Sequence, residues 1–208
     1  MQNGEKIVFG IDEVGRGSLA GPVMACAIMQ IKNQKSTFVP SSGRGKVKNA
    51  NQKLKIKDSK KLTPKQREEI YNFLKKSSEV QWGIGKVSEK VIDKINILQA
   101  TKLAMEKAVL NLEKKIGKKA DALLIDGNFG INIARPQQSI IKGDEKVFLI
   151  SLASIIAKVE RDNLMIKLHK KYPQYGFNKN KGYGTPQHLT VLSKHGPCKI
   201  HRQSFNLK

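Results

Sequence analysis

Short apolar runs alternate along this chain with longer segments of helical period. Lys6-Ile-Val-Phe-Gly-Ile11 reads as a buried strand that ends at Asp12, and Pro22 to Ile31 as a second, with Val23, Ala25, Ala27 and Ile28 among its apolar positions. Gly15-Arg16-Gly17 between them reads as a tight turn. Thr63-Pro64-Lys-Gln66 carries a helix start: threonine accepts the first free backbone N–H groups, Pro64 fits the first helical position, and Gln66 reaches back to complete a capping box. Ile70, Tyr71, Phe73 and Leu74 supply the apolar face of that helix, and Val80 to Val87 predicts a third strand. Ser88 caps a long helix to about Leu112, with Ile92, Ile95, Leu98, Leu103 and Met105 on its buried side and Gly117 as its stop. Ala120 to Ile125 is another short strand, ending at Asp126-Gly127-Asn128, and Gln138 to Lys142 reads as an edge strand. Asp144 precedes a helix from about Lys146 to Lys170, whose small and apolar middle, Leu149 to Val159, suits close packing on a sheet. Thr185-Pro186 opens the last helix and Gly196-Pro197 closes it.

Strands alternating with helices predict an α/β fold. The two N-terminal strands lie too close in sequence for a helical crossover, so they pair antiparallel and the sheet is mixed. A length of 208 residues suits one domain spanning 1–208. The charge balance narrows the partners. Lys plus Arg number 39 against 17 Asp plus Glu, a formal net charge of +22. That field favours a polyanion, with nucleic acid first and an anionic membrane surface second. No apolar run approaches the roughly 20 residues that span a bilayer, and Met1 to Lys6 lacks the pattern of a secretory signal. Cys26, in an apolar run, and Cys198 make no metal-binding pair. A reduced, cytoplasmic protein is expected. Residues 31–61 hold ten Lys or Arg against the single acid Asp58, and within them 31–57 is expected to be a mobile basic loop.

Two predicted strands end in acids, at Asp12-Glu13 and at Asp126. If those strands are neighbours, three carboxylates converge, and Asp144 can join them. Carboxylates so placed repel one another unless a cation lies between them. Hard oxygen ligands suit Mg²⁺ or Mn²⁺, and a pair of such ions is a standard arrangement for phosphodiester hydrolysis. A lone acid after a strand is more commonly a turn residue or a helix cap, and Asp144 by itself reads as an N-cap. The chain has no CxxC pair, no HExxH and no P-loop, which leaves zinc and nucleoside-triphosphate chemistry with little support. His169, His188, His195 and His201 have no spacing that demands a metal and are assigned structural or phosphate-facing roles.

Taken in order, these residues resemble the ribonuclease HII family. Gly10-Ile-Asp12-Glu13-Val-Gly15-Arg16-Gly17-Ser-Leu-Ala-Gly21-Pro22-Val23 is similar to its opening signature, and Asp58-Ser59-Lys60-Lys61-Leu62 to its second motif. Asn96 to Met105, Leu124-Ile-Asp126-Gly-Asn128, Lys142-Gly-Asp144, Ala153 to Val159 with Arg161-Asp162, Tyr172 to Phe177, Lys181-Gly-Tyr183 and Arg202-Gln-Ser-Phe205 follow in the family's order. The resemblance implies a ribonuclease H-like fold, a mixed five-stranded sheet flanked by helices. It implies an endoribonuclease that cuts the RNA strand of RNA–DNA hybrids and incises 5′ of single ribonucleotides in duplex DNA. The expected products carry 5′-phosphate and 3′-hydroxyl ends, and the expected role is ribonucleotide removal in replication and repair. Asp12, Glu13, Asp126 and Asp144 carry over as catalytic ligands of two Mg²⁺ or Mn²⁺ ions. Gly15, Arg16 and Gly17 carry over as the turn that reads a 2′-hydroxyl, Tyr183 as the ring that stacks on the next sugar, and Ser59 and Lys60 as contacts to the nucleic-acid backbone. Glycines let main chain approach a sugar closely, and the 2′-hydroxyl is what separates RNA from DNA at one site.

Three departures from the family stand out. Ser18 replaces a usual proline and is expected to loosen the turn, 31–57 is longer and more basic than usual, and the chain ends soon after Phe205. The related ribonuclease HIII family usually has lysine where Arg16 stands and an extra N-terminal domain, whereas eleven residues precede Asp12 here. The basic C-terminal helical segment 168–208 has eight Lys or Arg, no acid, and Tyr172, Tyr175, Phe177 and Tyr183 interleaved. It reads as a duplex-holding face, against the alternative of a solvated basic face over a few core aromatics. A monomer without membrane association is expected. The rival readings are a non-catalytic nucleic-acid-binding protein and a general nuclease of the same fold.

Overall fold

A computed structural model describes residues 6–31, 46–49, 52–55 and 62–207. In chain order its elements are strands β1 (Val8–Val14), β2 (Val23–Gln30), β3 (Lys46–Asn49) and β4 (Gln52–Lys55), helix α1 (Pro64–Lys76), β5 (Val80–Val87), α2 (Glu89–Ile116), β6 (Ala122–Asp126), β7 (Gln137–Ile140), the short α3 (Gly143–Lys146), α4 (Phe148–Lys171), a 3₁₀ turn at Pro173–Tyr175, α5 (Phe177–Asn180) and α6 (Pro186–His195). Five strands form one mixed sheet in the order β5-β2-β1-β6-β7. β1 pairs antiparallel with β2 and parallel with β6, so it runs through the middle of the sheet.

Alternation along β2 sorts the core into two layers. Val23, Ala25 and Ala27 face α2, together with Phe9, Ile11, Leu123 and Ile125. Met24, Cys26 and Ile28 face α1 and α4. A third cluster of Ala20, Met165, Tyr175, Phe177 and Leu192 packs the C-terminal segment against residues that follow the Gly15–Gly17 turn. The close seat of α2 on β5 depends on Gly85, where an added Cβ would fall 1.8 Å from the Ala104 carbonyl oxygen and 2.6 Å from the Ala108 nitrogen.

The capping box at Thr63 and Gln66 forms as expected, with both reciprocal bonds present. Other boundaries differ for identifiable reasons. β1 does not stop at Asp12. Its parallel register with β6 ends at Ile11↔Ile125, but antiparallel pairing continues through Asp12↔Cys26 and Glu13↔Ala25 to Val14↔Met24. The long helix breaks at Asn96, which has φ 65 and ψ 167. The Asn96 side chain accepts the Gln99 N–H at 3.1 Å and so starts the second half afresh. That break shifts the helical phase. Leu98, expected on the buried side, is 38% exposed, and Ala100, Ala104 and Ala108 line the sheet. The helix expected from Lys146 begins at Phe148, after Val147 adopts extended backbone. Within 31–57, expected to be a loop, β3 and β4 form an antiparallel ribbon with Val47 opposite Leu54 and lysines opposite lysines on either side. Alternating residues in both arms carry that pairing. The remainder of the basic segment lies outside the described residues.

Candidate active site

The parallel pairing of β1 and β6 sets their carboxyl ends side by side. Asp12 and Glu13 extend β1 just beyond its last pair with β6, and Asp126 ends β6. One carboxylate oxygen from each of Asp12, Glu13 and Asp126 can be chosen so that all lie within 4.8 Å of one another. Asp144 arrives by a different route. Asp126 Oδ1 accepts the Gly143 N–H at 2.6 Å, which ties α3 to the end of β6 and sets Asp144 in the wall of the same pocket. Asp144 is 2% exposed and lies inside α3, while Val147 is the N-cap of α4. Capping of the long helix therefore does not account for it.

Burial pushes the Asp12 carboxyl well above the usual carboxylate range, and the charges of Glu13 and Asp126 push it further, against hydrogen bonds from Ser154 and from the Glu13 N–H. Burial also raises Glu13, opposed by Arg16, whose Nη1 stands 3.3 Å from Glu13 Oε1. Glu13 Oε2 is buried with no hydrogen-bond partner. An unsatisfied carboxylate oxygen beside converging acids, two of which resist ionisation, is a donor set suited to a hard divalent cation.

Asp12, Glu13, Asp126 and Asp144 share a cleft of about 350 Å³ with Gly15, Arg16, Gly17 and Tyr183. Gly15 has φ +89, and a Cβ there would lie 2.2 Å from Arg161 Nε, so both conformation and space require glycine. Ser18, expected to loosen the turn, is held on both sides. It is fully buried, forms a bridge with Tyr183, and donates its N–H to the Gly15 carbonyl at 3.4 Å, a bond proline cannot make. Lys158 Nζ and Arg161 Cζ lie 5.5 and 5.6 Å from the Tyr183 ring centroid. Ser59 and Lys60 lie outside the described residues. Arg67, Ser154 and Lys158 also line the cleft and were not singled out from sequence. Lys158 and Ser154 sit in the Ala153–Val159 motif, which was the available signal for them.

The C-terminal segment is not simply a basic face. Tyr175 and Phe177 are core residues at 3% and 0% exposure, and Arg202 is fully buried, as is Arg161 in the preceding α4. His188 and His201 are structural, with Nε2 atoms 3.0 Å apart. His188 Nδ1 reaches the Tyr183 carbonyl at 2.8 Å, and His201 Nδ1 accepts the Cys198 N–H at 2.9 Å.

The family model described as Ribonuclease HII matches residues 9–208. The chain belongs to the ribonuclease HII family. This is a family of endonucleases that cut the RNA strand of RNA–DNA hybrids, leave 5′-phosphate ends and use divalent metal ions. The chain is 48% identical over 206 residues to a ribonuclease HII of Chlamydia trachomatis serovar A, covering 99% of this chain and 85% of that protein. Ribonuclease H2 from Pyrococcus horikoshii OT3 has the same fold, with a TM-score of 0.67 and 26% identity over 97% of this chain and 94% of that one. Bst-RNase HIII, solved in complex with Mn²⁺, matches at a TM-score of 0.70 and 16% identity, covering 99% of this chain and 69% of that one. The ribonuclease H-like fold expected from sequence is the fold observed. Among the described residues no helix is long and apolar enough to cross a membrane.

Proposed function

We propose that Asp12, Glu13, Asp126 and Asp144 hold two divalent ions, Mg²⁺ or Mn²⁺, and that this ribonuclease HII incises duplex DNA 5′ of single ribonucleotides as well as cutting longer hybrids. The carrying observation is the convergence of three carboxylate oxygens within 4.8 Å, one acid keeping an unsatisfied buried oxygen, in the same cleft as the Gly15–Gly17 turn and Tyr183. A bound pair of ions supplies an activated water and charge stabilisation at the leaving 3′ oxygen. The chain's own residues do the rest. The acids orient and neutralise the ions. The Gly15-Arg16-Gly17 main chain comes close enough to hydrogen-bond a 2′-hydroxyl, because Gly17 puts no Cβ into the open space beside it and Gly15 allows the turn its left-handed backbone over Arg161. The Tyr183 ring fits the face of the following deoxyribose and crowds a ribose carrying a 2′-hydroxyl. Lys158 and Arg67 in the cleft wall are placed to meet backbone phosphate.

The Mn²⁺ complex of Bst-RNase HIII, a protein of the same fold, is consistent with manganese as one usable ion. The whole chain acts as one catalytic domain, with repair of ribonucleotide-containing DNA as its role. The test is cleavage of a duplex bearing one ribonucleotide, with and without Mg²⁺, beside an all-DNA duplex. Metal-dependent cutting at the ribonucleotide alone is expected, and Asp126→Asn should abolish it. Binding without metal-dependent product would overturn the catalytic reading, and equal cutting of all-DNA duplex would overturn the role given to the Gly15–Gly17 turn.

A further inference from the structure

Two arginines are fully buried, and among the described residues neither forms a salt bridge. Each spends its guanidinium on three backbone carbonyls. Arg202 donates to Gly15 O at 2.6 Å, Arg16 O at 2.8 Å and Gly21 O at 3.0 Å. Arg161 donates to Ala20 O at 3.1 Å, Pro22 O at 3.0 Å and Lys181 O at 2.9 Å. The carbonyls of the turn and of the chain leaving it are thereby drawn inward to two cations. Across a trans peptide the N–H points opposite to the C=O, so with the Gly15 and Arg16 carbonyls held by Arg202 the N–H groups of Arg16 and Gly17 face the other way.

Stability alone is a poor explanation for this arrangement. A buried charge costs several kcal/mol of desolvation unless well compensated, and a whole domain of this kind is stable by only about 5–15 kcal/mol. Burial, and then the charge of Arg161, push the Arg202 guanidinium down to about 9, which still leaves Arg202 charged at neutral pH. Apolar side chains could fill the same volume but could not bind six carbonyls. Violations of packing rules concentrate where function requires them.

We propose that Arg202 is a positioning residue for ribonucleotide recognition, its bonds to the Gly15 and Arg16 carbonyls setting the Gly15–Gly17 main chain in the shape that can hydrogen-bond a 2′-hydroxyl, and that Arg161 supports it by packing where a Gly15 Cβ would fall and by fixing Ala20 and Pro22 in the chain that leaves the turn. This rests on the recognition role given above to that turn. Neither arginine touches the substrate. Lysine in either place keeps the charge, but its three N–H donors radiate from one nitrogen and cannot span carbonyls set around a planar guanidinium fork.

The test compares binding of two duplexes of one sequence, all-DNA and single-ribonucleotide, with Ca²⁺ replacing Mg²⁺ to prevent turnover. Wild type is expected to prefer the ribonucleotide duplex. Arg202→Lys should lose about ten-fold of that preference, the size expected for one or two hydrogen bonds, with all-DNA binding unchanged. The Mn²⁺-induced rise in melting temperature should stay as in wild type, which reports an intact acid cluster. A merely structural arginine would lower affinity for both duplexes alike. Arg161→Lys provides the same comparison should Arg202→Lys not fold. Wild type without a preference overturns the recognition reading and this inference together. A preference that either folded lysine variant retains in full overturns the inference alone.

Discussion

Replacing Asp126 by asparagine should make the metal-free protein more stable while removing its response to metal. Two full charges 4.8 Å apart repel by ~3.5 kcal/mol at an effective dielectric of about 20. Asp126 has two such neighbours, Asp12 and Glu13, so full ionisation would put ~7 kcal/mol on this one residue. Proton uptake by the raised Asp12 and Glu13 carboxyls caps that figure, because protonation is the cheaper way to relieve the repulsion. A recoverable gain of about 2–3 kcal/mol remains, or about 4–12 °C in melting temperature for a chain of this size. Asparagine keeps an Oδ1 to accept the Gly143 N–H, so the tie between β6 and α3 survives. Wild type with Mn²⁺ at a hundred times its dissociation constant gains about 2.7 kcal/mol, and the variant gains little. Melting curves by circular dichroism, in EDTA and in a Mn²⁺ titration, should therefore show the variant melting above wild type in EDTA and the gap closing as the ion is added. A variant that melts below wild type in EDTA, or that shifts equally with Mn²⁺, refutes both the electrostatic account and the assignment of Asp126 as a ligand.

Gly85→Ala should cost at least about 3 kcal/mol, because its Cβ meets helix backbone rather than a side chain that can rotate away; a urea midpoint equal to wild type would show that α2 can shift outward freely. The buried histidine pair predicts loss of stability in acid. His201 is held down to about 4 by burial and then by His188, and His188 is lowered by burial, so the unfolded chain takes up protons first as pH falls below 6.5. Stability from His201 is full above about 6.5 and drains away between there and about 4, by on the order of 3 kcal/mol. In a double variant with His188 and His201 replaced by glutamine, the slope of stability against pH across that window should flatten; an unchanged slope would assign the acid sensitivity elsewhere.

Much of the site was legible because its chemistry follows strand ends. An apolar run closing on an acid reads the same in sequence as in the sheet, so Asp12, Glu13 and Asp126 could be grouped before their strands were known to be adjacent. Asp144 was ambiguous, since an acid before a helix is also a cap; only the extended Val147 between α3 and α4 separates the two readings. The phase error at Leu98 arose because the side chain of Asn96 restarts the helix, which apolar spacing does not register. Arg161 and Arg202 sat within recognised motifs, yet their burial was invisible. Their partners are backbone carbonyls, which every residue carries, so no complementary acid elsewhere in the sequence signals the contact. Arg202 was counted with the surface charge of 168–208 for that reason.

The bonds from Arg202 to Arg16 and Gly15 span 186 and 187 residues of sequence. Closing a loop that long carries an entropic penalty that grows with the logarithm of its length and is met before the contact returns anything. The β1–β2 hairpin, by contrast, joins neighbours such as Val14 and Met24. A folding chain can thus gather its first two acids early, while the turn beside them acquires its fixed shape only when the distal segment docks. The cation site is complete only when β6 pairs with β1, as Ile125 does with Ile11, and the proposed discrimination between ribose and deoxyribose needs the distal segment besides, so partial unfolding from that segment would undo discrimination while leaving the acids gathered.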